Sequence, residues 1–117
     1  MVINKSGVWG ELYAARYLRD NGYKIIAGNY RRRVGEIDII AQKDNTVCFV
    51  EVKTRGEDPM FAPSEAVDAL KQEKIRATAG LFMNKFGGEN NVRFDVVEVI
   101  LDKNFNKLSL NHIKDAF

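Results

Sequence analysis

The sequence predicts an α/β fold: a mixed central sheet flanked by helices, in the order helix, three strands, helix, strand. Three observations predict it. Residues 35–53 contain two apolar, β-prone runs separated by the short polar stretch Lys43-Asp44-Asn45, the pattern of a β-hairpin. Helix-periodic segments stand on either side of these runs. The second helix is long enough to carry the chain back to a parallel fourth strand by a right-handed crossover, whereas the short turns before it impose antiparallel pairing. A length of 117 residues suits one domain, 1–117, with a single core.

The first helix is expected from Ser6, as N-cap, to about Asn21, where Asn21-Gly22 is a stop signal. Glu11, Ala14, Ala15 and Leu18 follow the spacing of one face, and Gly7 and Gly10 border it. Each glycine costs a helix about 1 kcal/mol relative to alanine. Two of them beside a run of small residues imply a neighbour packed very close, which makes Glu11 the odd side chain on an inward face. Tyr23 to Ala27 reads as the first strand, and the hairpin supplies the second and third. From Thr54 to Pro59 the chain reads as a loop bordering the hairpin. A second helix is expected from Ser64 to about Lys85, with Val67, Leu70, Ala77, Leu81 and Phe82 buried and Gly87-Gly88 ending it. Arg93 to Leu101 reads as the fourth strand, with Asp95 and Glu98 structural or exposed. Leu108 to Leu110 reads as a short strand, and His112 to Phe117 as a marginal helix.

The chemistry is concentrated in the hairpin. Side chains alternate along a strand, so Glu36 and Asp38 share one face of the first run, and Glu51 and Lys53 one face of the second. A carboxylate in an apolar strand needs a hydrogen-bonding partner, an opposite charge or a metal. A structural Asp–Lys or Glu–Lys bridge would meet that need. So would Mg²⁺ or Mn²⁺, which takes one or two carboxylates and completes its shell with water and phosphate. Lys53 would then stand beside the ion, able to orient a water or offset charge in a phosphoryl transition state. Glu11 could point toward the same place from the helix or form a salt bridge.

Composition narrows the function classes. The chain is 45% hydrophobic and 29% charged, as in soluble globular proteins. No apolar run approaches the roughly 20 residues that span a bilayer. The N-terminus lacks the apolar stretch of a signal peptide, so the expected location is the cytoplasm. The one cysteine, Cys48, sits in a strand pattern and reads as core. A lone histidine, His112, argues against histidine-based catalysis. A net charge of +2 does not announce a nucleic-acid binder, but its distribution is suggestive. Arg31, Arg32 and Arg33 directly precede the acidic segment, and Lys71 and Lys74 are neighbours on the second helix. Arginine forks suit phosphate oxygens, and Tyr30 could stack on a base or anchor the loop.

In combination these residues resemble a known constellation. Helical Glu11, then Asp38, then Glu51-Val52-Lys53, in the order αβββαβ, is similar to the PD-(D/E)XK nuclease superfamily with its restriction-endonuclease-like core. The segments Gly7-x-x-Gly10-Glu11-x-x-Ala14, Asn29-Tyr30-Arg31, Gly35 to Ile40 and Phe49 to Arg55 resemble the bacterial YraN-like family more narrowly, over nearly the whole chain. The resemblance implies an Mg²⁺- or Mn²⁺-dependent phosphodiesterase with Asp38 and Glu51 as metal ligands and the Val52 carbonyl as a third. It implies Lys53 as the group assisting the water or transition state. Glu11 matches the helical acid of Holliday junction resolvases, and Glu36 is a further candidate ligand. Tyr30, Arg31, Arg32, Arg33, Arg55, Lys71 and Lys74 would contact nucleic acid.

Three functions compete. The first is an endonuclease or exonuclease acting on DNA, selective for branched or flapped structure because no separate recognition domain is present and shape readout needs mainly phosphate contacts. A two-fold dimer would suit a small cutter by presenting paired sites. The second is a nucleic-acid- or partner-binding module on a nuclease fold, and the third a structural adaptor. Insensitivity of DNA binding to Glu51→Ala marks the second, and absence of both metal and DNA binding marks the third.

Overall fold

The computed structural model describes residues 5–57 and 67–117. Helix α1 (Lys5–Asp20) leads into strands β1 (Lys24–Arg32), β2 (Gly35–Lys43) and β3 (Thr46–Gly56). Helix α2 (Ala69–Phe86) then precedes β4 (Asn91–Leu101) and β5 (Lys107–Ile113). The strands form one five-stranded sheet in sequence order, with β3 and β4 parallel and the other neighbours antiparallel. This is the expected mixed α/β architecture, compatible with a restriction-endonuclease-like core and extended by a fifth strand. Among the described residues no helix is long and apolar enough to cross a membrane.

The two helices cover opposite faces. Ala14 and Leu18 of α1 pack on Ile39, Ala41, Cys48, Val50, Val97 and Val99. Ile75 and Ala79 of α2 pack on Ile37, Ile40, Val47 and Phe49. Cys48 is fully buried, as its sequence context implies, and burial pushes its thiol up to about 11. The end of α1 is a Schellman turn: Tyr23 N–H donates to Leu18 O, Gly22 N–H donates to Arg19 O, and Gly22 takes φ +87°. Gly87 ends α2 at φ 73° and donates to Met83 O.

Several expectations are corrected. Ser6 lies inside α1 because Lys5 is already helical. The first strand reaches Arg32, so Tyr30, Arg31 and Arg32 belong to a second hairpin and not to a loop. β3 runs on through Thr54, Arg55 and Gly56, sustained by pairing with Val99, Ile100 and Leu101 of β4. The second helix begins at Ala69, not Ser64: Val67 and Asp68 are non-helical, and the Asp68 side chain caps by accepting from Lys71 N–H at 2.8 Å. Pro59, Pro63 and Ser64 lie outside the described residues. The buried stripe of α2 is Ile75, Thr78 and Ala79 with partly buried Phe82, whereas Leu70, Ala77 and Leu81 are exposed. No helix follows His112; that residue and Ile113 belong to β5.

Candidate functional site

Pairing between β2 and β3 runs from the Lys43↔Thr46 turn to Ile39↔Val50 and stops there. Ile37 and Ile40 belong to the same core cluster, three residues apart, so strict two-residue alternation is interrupted over Asp38 and Ile39. Where the ladder ends, Val52 N–H donates 2.8 Å to Asp38 Oδ2. A side chain thus takes the place of a main-chain partner, and the two strands part around it. The opening is a cavity of about 320 Å³ whose lining includes Glu11, Glu36, Asp38, Glu51, Lys53 and Lys71.

Close packing brings the helices to this opening. A Cβ on Gly10 would collide with Thr54 Oγ1, which accounts for glycine at this position and places Glu11 beside the end of β3. A Cβ on Gly35 would stand 2.9 Å from Thr78 Oγ1 and 3.2 Å from Lys74 O, so glycine there admits α2 close to β2. Lys71 enters the cavity from α2 and Glu11 from α1.

The electrostatics are those of crowded acids. Glu51 is 4% exposed, and its Oε1 has no hydrogen-bond partner. Burial, then the adjacent and hydrogen-bonded Asp38 carboxylate, push Glu51 up to about 8 against the partial relief of Lys71 and Lys53. Glu11 is also raised, by desolvation and by Asp38, while a hydrogen bond from Asn29 opposes the shift. Lys53 is lowered by its own burial and by hydrogen bonding to Lys71.

The structure therefore brings together Glu11, Glu36, Asp38, Glu51, Val52, Lys53 and Lys71. The remaining candidates lie elsewhere. Arg31 pairs with Glu36 at 3.1 Å on the surface, and Arg32 covers the Tyr30 ring, which itself packs edge-on against Phe82. Tyr30 is thus an anchor. Arg33 is exposed beside them. None of these arginines lines the cavity. Lys74 lines the adjoining depression next to Gly35, and Arg55 pairs with Glu98 at 3.2 Å. The sequence places Asn29 in a motif but gives it no role at the site; its positive φ of 51° is a conformation asparagine tolerates, and its amide reaches Glu11.

Among the described residues, no three His, Cys, Asp or Glu side chains form a group able to hold a metal ion together. The donor set fits a hard divalent cation all the same. Two carboxylates, one with a desolvated and unpartnered oxygen, are what Mg²⁺ uses when water and phosphate complete its shell.

The fold and this carboxylate–lysine cavity define a class: small mixed α/β domains with an acidic cleft where a β-hairpin splays. Within it the chain belongs to the YraN-like family, described as "Uncharacterised protein family UPF0102", whose model matches residues 10–99. A UPF0102 protein of Alkaliphilus oremlandii is 46% identical over 97% of each chain. One of Caldicellulosiruptor bescii is 43% identical over the full length of both, and one of Chlorobium phaeobacteroides is 42% identical over 95% of this chain and 91% of its own.

Proposed function

We propose that this protein is a divalent-metal-dependent nuclease of the PD-(D/E)XK type, acting on DNA in the cytoplasm as one domain and selective for branched or flapped structure. The observation that carries the reading is the buried, unpartnered Glu51 Oε1 beside Asp38. An acid of this kind destabilises the free protein and is relieved by a cation. Glu51 and Asp38 would hold Mg²⁺ or Mn²⁺, with the Val52 carbonyl at the same wall, and the ion would supply an activated water and a polarised phosphate.

The chain's own residues do the rest. Val52 N–H fixes the Asp38 carboxylate. Lys53, partly desolvated and lowered, offsets charge building on the phosphate and orients the attacking water. Lys71, reaching in from α2 beside Lys53, seats a phosphate oxygen, and Glu11 closes the acidic side. Pairing of two copies would present two such cavities to a branched substrate. The adjoining ammonium groups of Lys53 and Lys71 form an anion seat by themselves, which supports a second reading: binding without cleavage.

Labelled single strand, duplex, flap, fork and four-way junction incubated with Mg²⁺, Mn²⁺ or EDTA separate the two. Metal-dependent cutting by the wild type that disappears in Glu51→Ala is expected. Lys53→Ala is expected to fold and to keep most of its DNA affinity, which Lys71 and Lys74 still support, but to lose cutting by about 10²-fold or more. Binding by both wild type and Glu51→Ala, without cutting by either, would leave the binding-module reading in place.

A further inference from the structure

Lys53 lines two cavities. Beyond it, on the α2 side of β3, β4 and β5, lies a second hollow of about 280 Å³. Its apolar walls are Val67, Val96, Ile113 and Phe117, the last fixed by ring contact with Phe94. Besides Lys53, three polar side chains face the same space: Gln72, and the ion-paired Arg55 and Glu98. Apolar walls with a few convergent polar groups characterise small-molecule sites, and this one is just below the volume usual for them, about the room a single planar ring needs. On the other side, Glu36 and Lys71 join the acidic cavity to the depression that holds Lys74. Three neighbouring spaces thus run from Lys74 past the carboxylates to Arg55, with Glu36 and Lys71 shared by the first two and Lys53 by the last two.

We propose that the hollow beyond Lys53 is a nucleobase subsite, occupied by an unstacked base of the nucleotide next to the phosphate held at Asp38 and Glu51. The inference rests on the nuclease reading and deepens it. A strand lying in the acidic cavity with a phosphate between Lys53 and Lys71 has its neighbouring nucleoside beside the hollow, because Lys53 is common to both spaces. Val96 and Ile113 face each other across β4 and β5 and give the base an apolar floor. Gln72, whose Nε2 donates to Val67 O, keeps its amide oxygen and second N–H for the base, with the Glu98 carboxylate and the Arg55 guanidinium at the same polar edge. A base inside cannot be paired or stacked on its neighbours. The substrate is accordingly a single-stranded, frayed or extruded nucleotide at a branch or end, not continuous duplex.

The test is a titration of the full, isotope-labelled chain with a thymidine tetranucleotide and with its abasic counterpart, in the presence of Mg²⁺. Amide resonances of Val96, Glu98 and Ile113 are expected to move with the tetranucleotide alone, while those of Lys71 and Lys74 move with both. Ala116→Trp fills the hollow from an exposed position whose main-chain bond to Phe94 O is kept. It is expected to weaken the tetranucleotide about tenfold and leave the abasic probe unchanged. Equal responses to the two probes at the hollow, or unaltered tetranucleotide affinity in Ala116→Trp, would overturn the subsite. The nuclease reading is scored separately: base-dependent shifts without cleavage of any substrate keep the subsite and remove catalysis. Cleavage indifferent to an abasic residue beside the cut keeps catalysis and removes the subsite.

Discussion

Two carboxylates are buried in neighbouring strands of this sheet, and they are opposites. Asp95 is fully buried on β4 and fully served: Arg93 donates two hydrogen bonds at 2.8 Å, His112 Nε2 lies 2.8 Å away, and Asp115 N–H donates at 3.0 Å. Desolvation alone would raise it, but His112, Arg93 and the Asp115 amide together hold it down at about 2. Tyr23 OH accepts from Arg93, and Tyr17 OH sits 3.1 Å from His112 Nδ1, so the network continues into α1. Glu51, nearly as buried on β3, has an orphan oxygen and another acid for company, and is pushed up. Burial is therefore not what separates a structural acid from a functional one. Satisfaction is what the two differ in: every oxygen of Asp95 is served within the fold, whereas Glu51 keeps one oxygen without a partner, which on the proposed reading a cation would serve.

Breaking the satisfied acid should have the largest effect on stability. Asp95→Ala leaves a partly buried guanidinium and a buried imidazole facing an apolar gap, a loss of about 3–5 kcal/mol in urea unfolding. A loss under about 1 kcal/mol would end the contrast. The pH profile gives its sign independently. Asp95 is depressed in the folded state from an ordinary 3.8 to about 2, so its contribution is fully present above pH 4 and is lost as pH falls toward 2. Unfolding monitored over that window should lose its steep acid limb in Asp95→Asn.

Changing the unsatisfied acid should have the opposite sign and a smaller size. Glu51→Gln is expected to raise stability in metal-free buffer at neutral pH by about 1–2 kcal/mol, the usual gain when a strained functional group is relieved. Millimolar Mg²⁺ should then raise the melting temperature of the wild type and leave that of the variant unmoved. A destabilised Glu51→Gln would mean that Glu51, like Asp95, is a structural acid.

The sequence exposes these two regions unequally. Asp38, Glu51 and Lys53 are legible because acids and a lysine interrupt β-prone runs at alternating positions, and Gly10 is legible because glycine is costly inside a helix. The Asp95 network is not, since Tyr17, Tyr23, Arg93 and His112 are brought together only by tertiary packing. The same reason hides the contact of Lys71 with Lys53, which depends on how α2 crosses the sheet. The α2 stripe is only partly legible, because its mixed small and apolar residues mark no single face: Phe82 packs on the core, but Leu70, Ala77 and Leu81 do not. The face turned to the sheet is selected by Gly35, which lets Thr78 and Lys74 approach. β3 outruns its apolar pattern because parallel pairing to β4, a long-range partner, carries Thr54 to Gly56.

The smallest effect belongs to a third acid, Glu36, which shares the cavity but faces outward to Arg31 at 3.1 Å, with both side chains largely exposed. Solvent screens such a pair, so Arg31→Ala should change unfolding free energy by less than about 0.5 kcal/mol. Its effect on DNA is the sharper readout. If Arg31 meets a phosphate as the strand enters the cavity, removing it lowers the slope of log affinity against log salt by about 0.9 for duplex substrate and spares cleavage chemistry at saturation. An unchanged slope would confine Arg31 to its partnership with Glu36 and leave Lys71, Lys74 and Lys53 as the cations that meet the backbone. The three acids would then rank by how well they are served: Asp95 wholly by the fold, Glu36 by solvent and Arg31, and Glu51 least, with one buried oxygen left unpartnered.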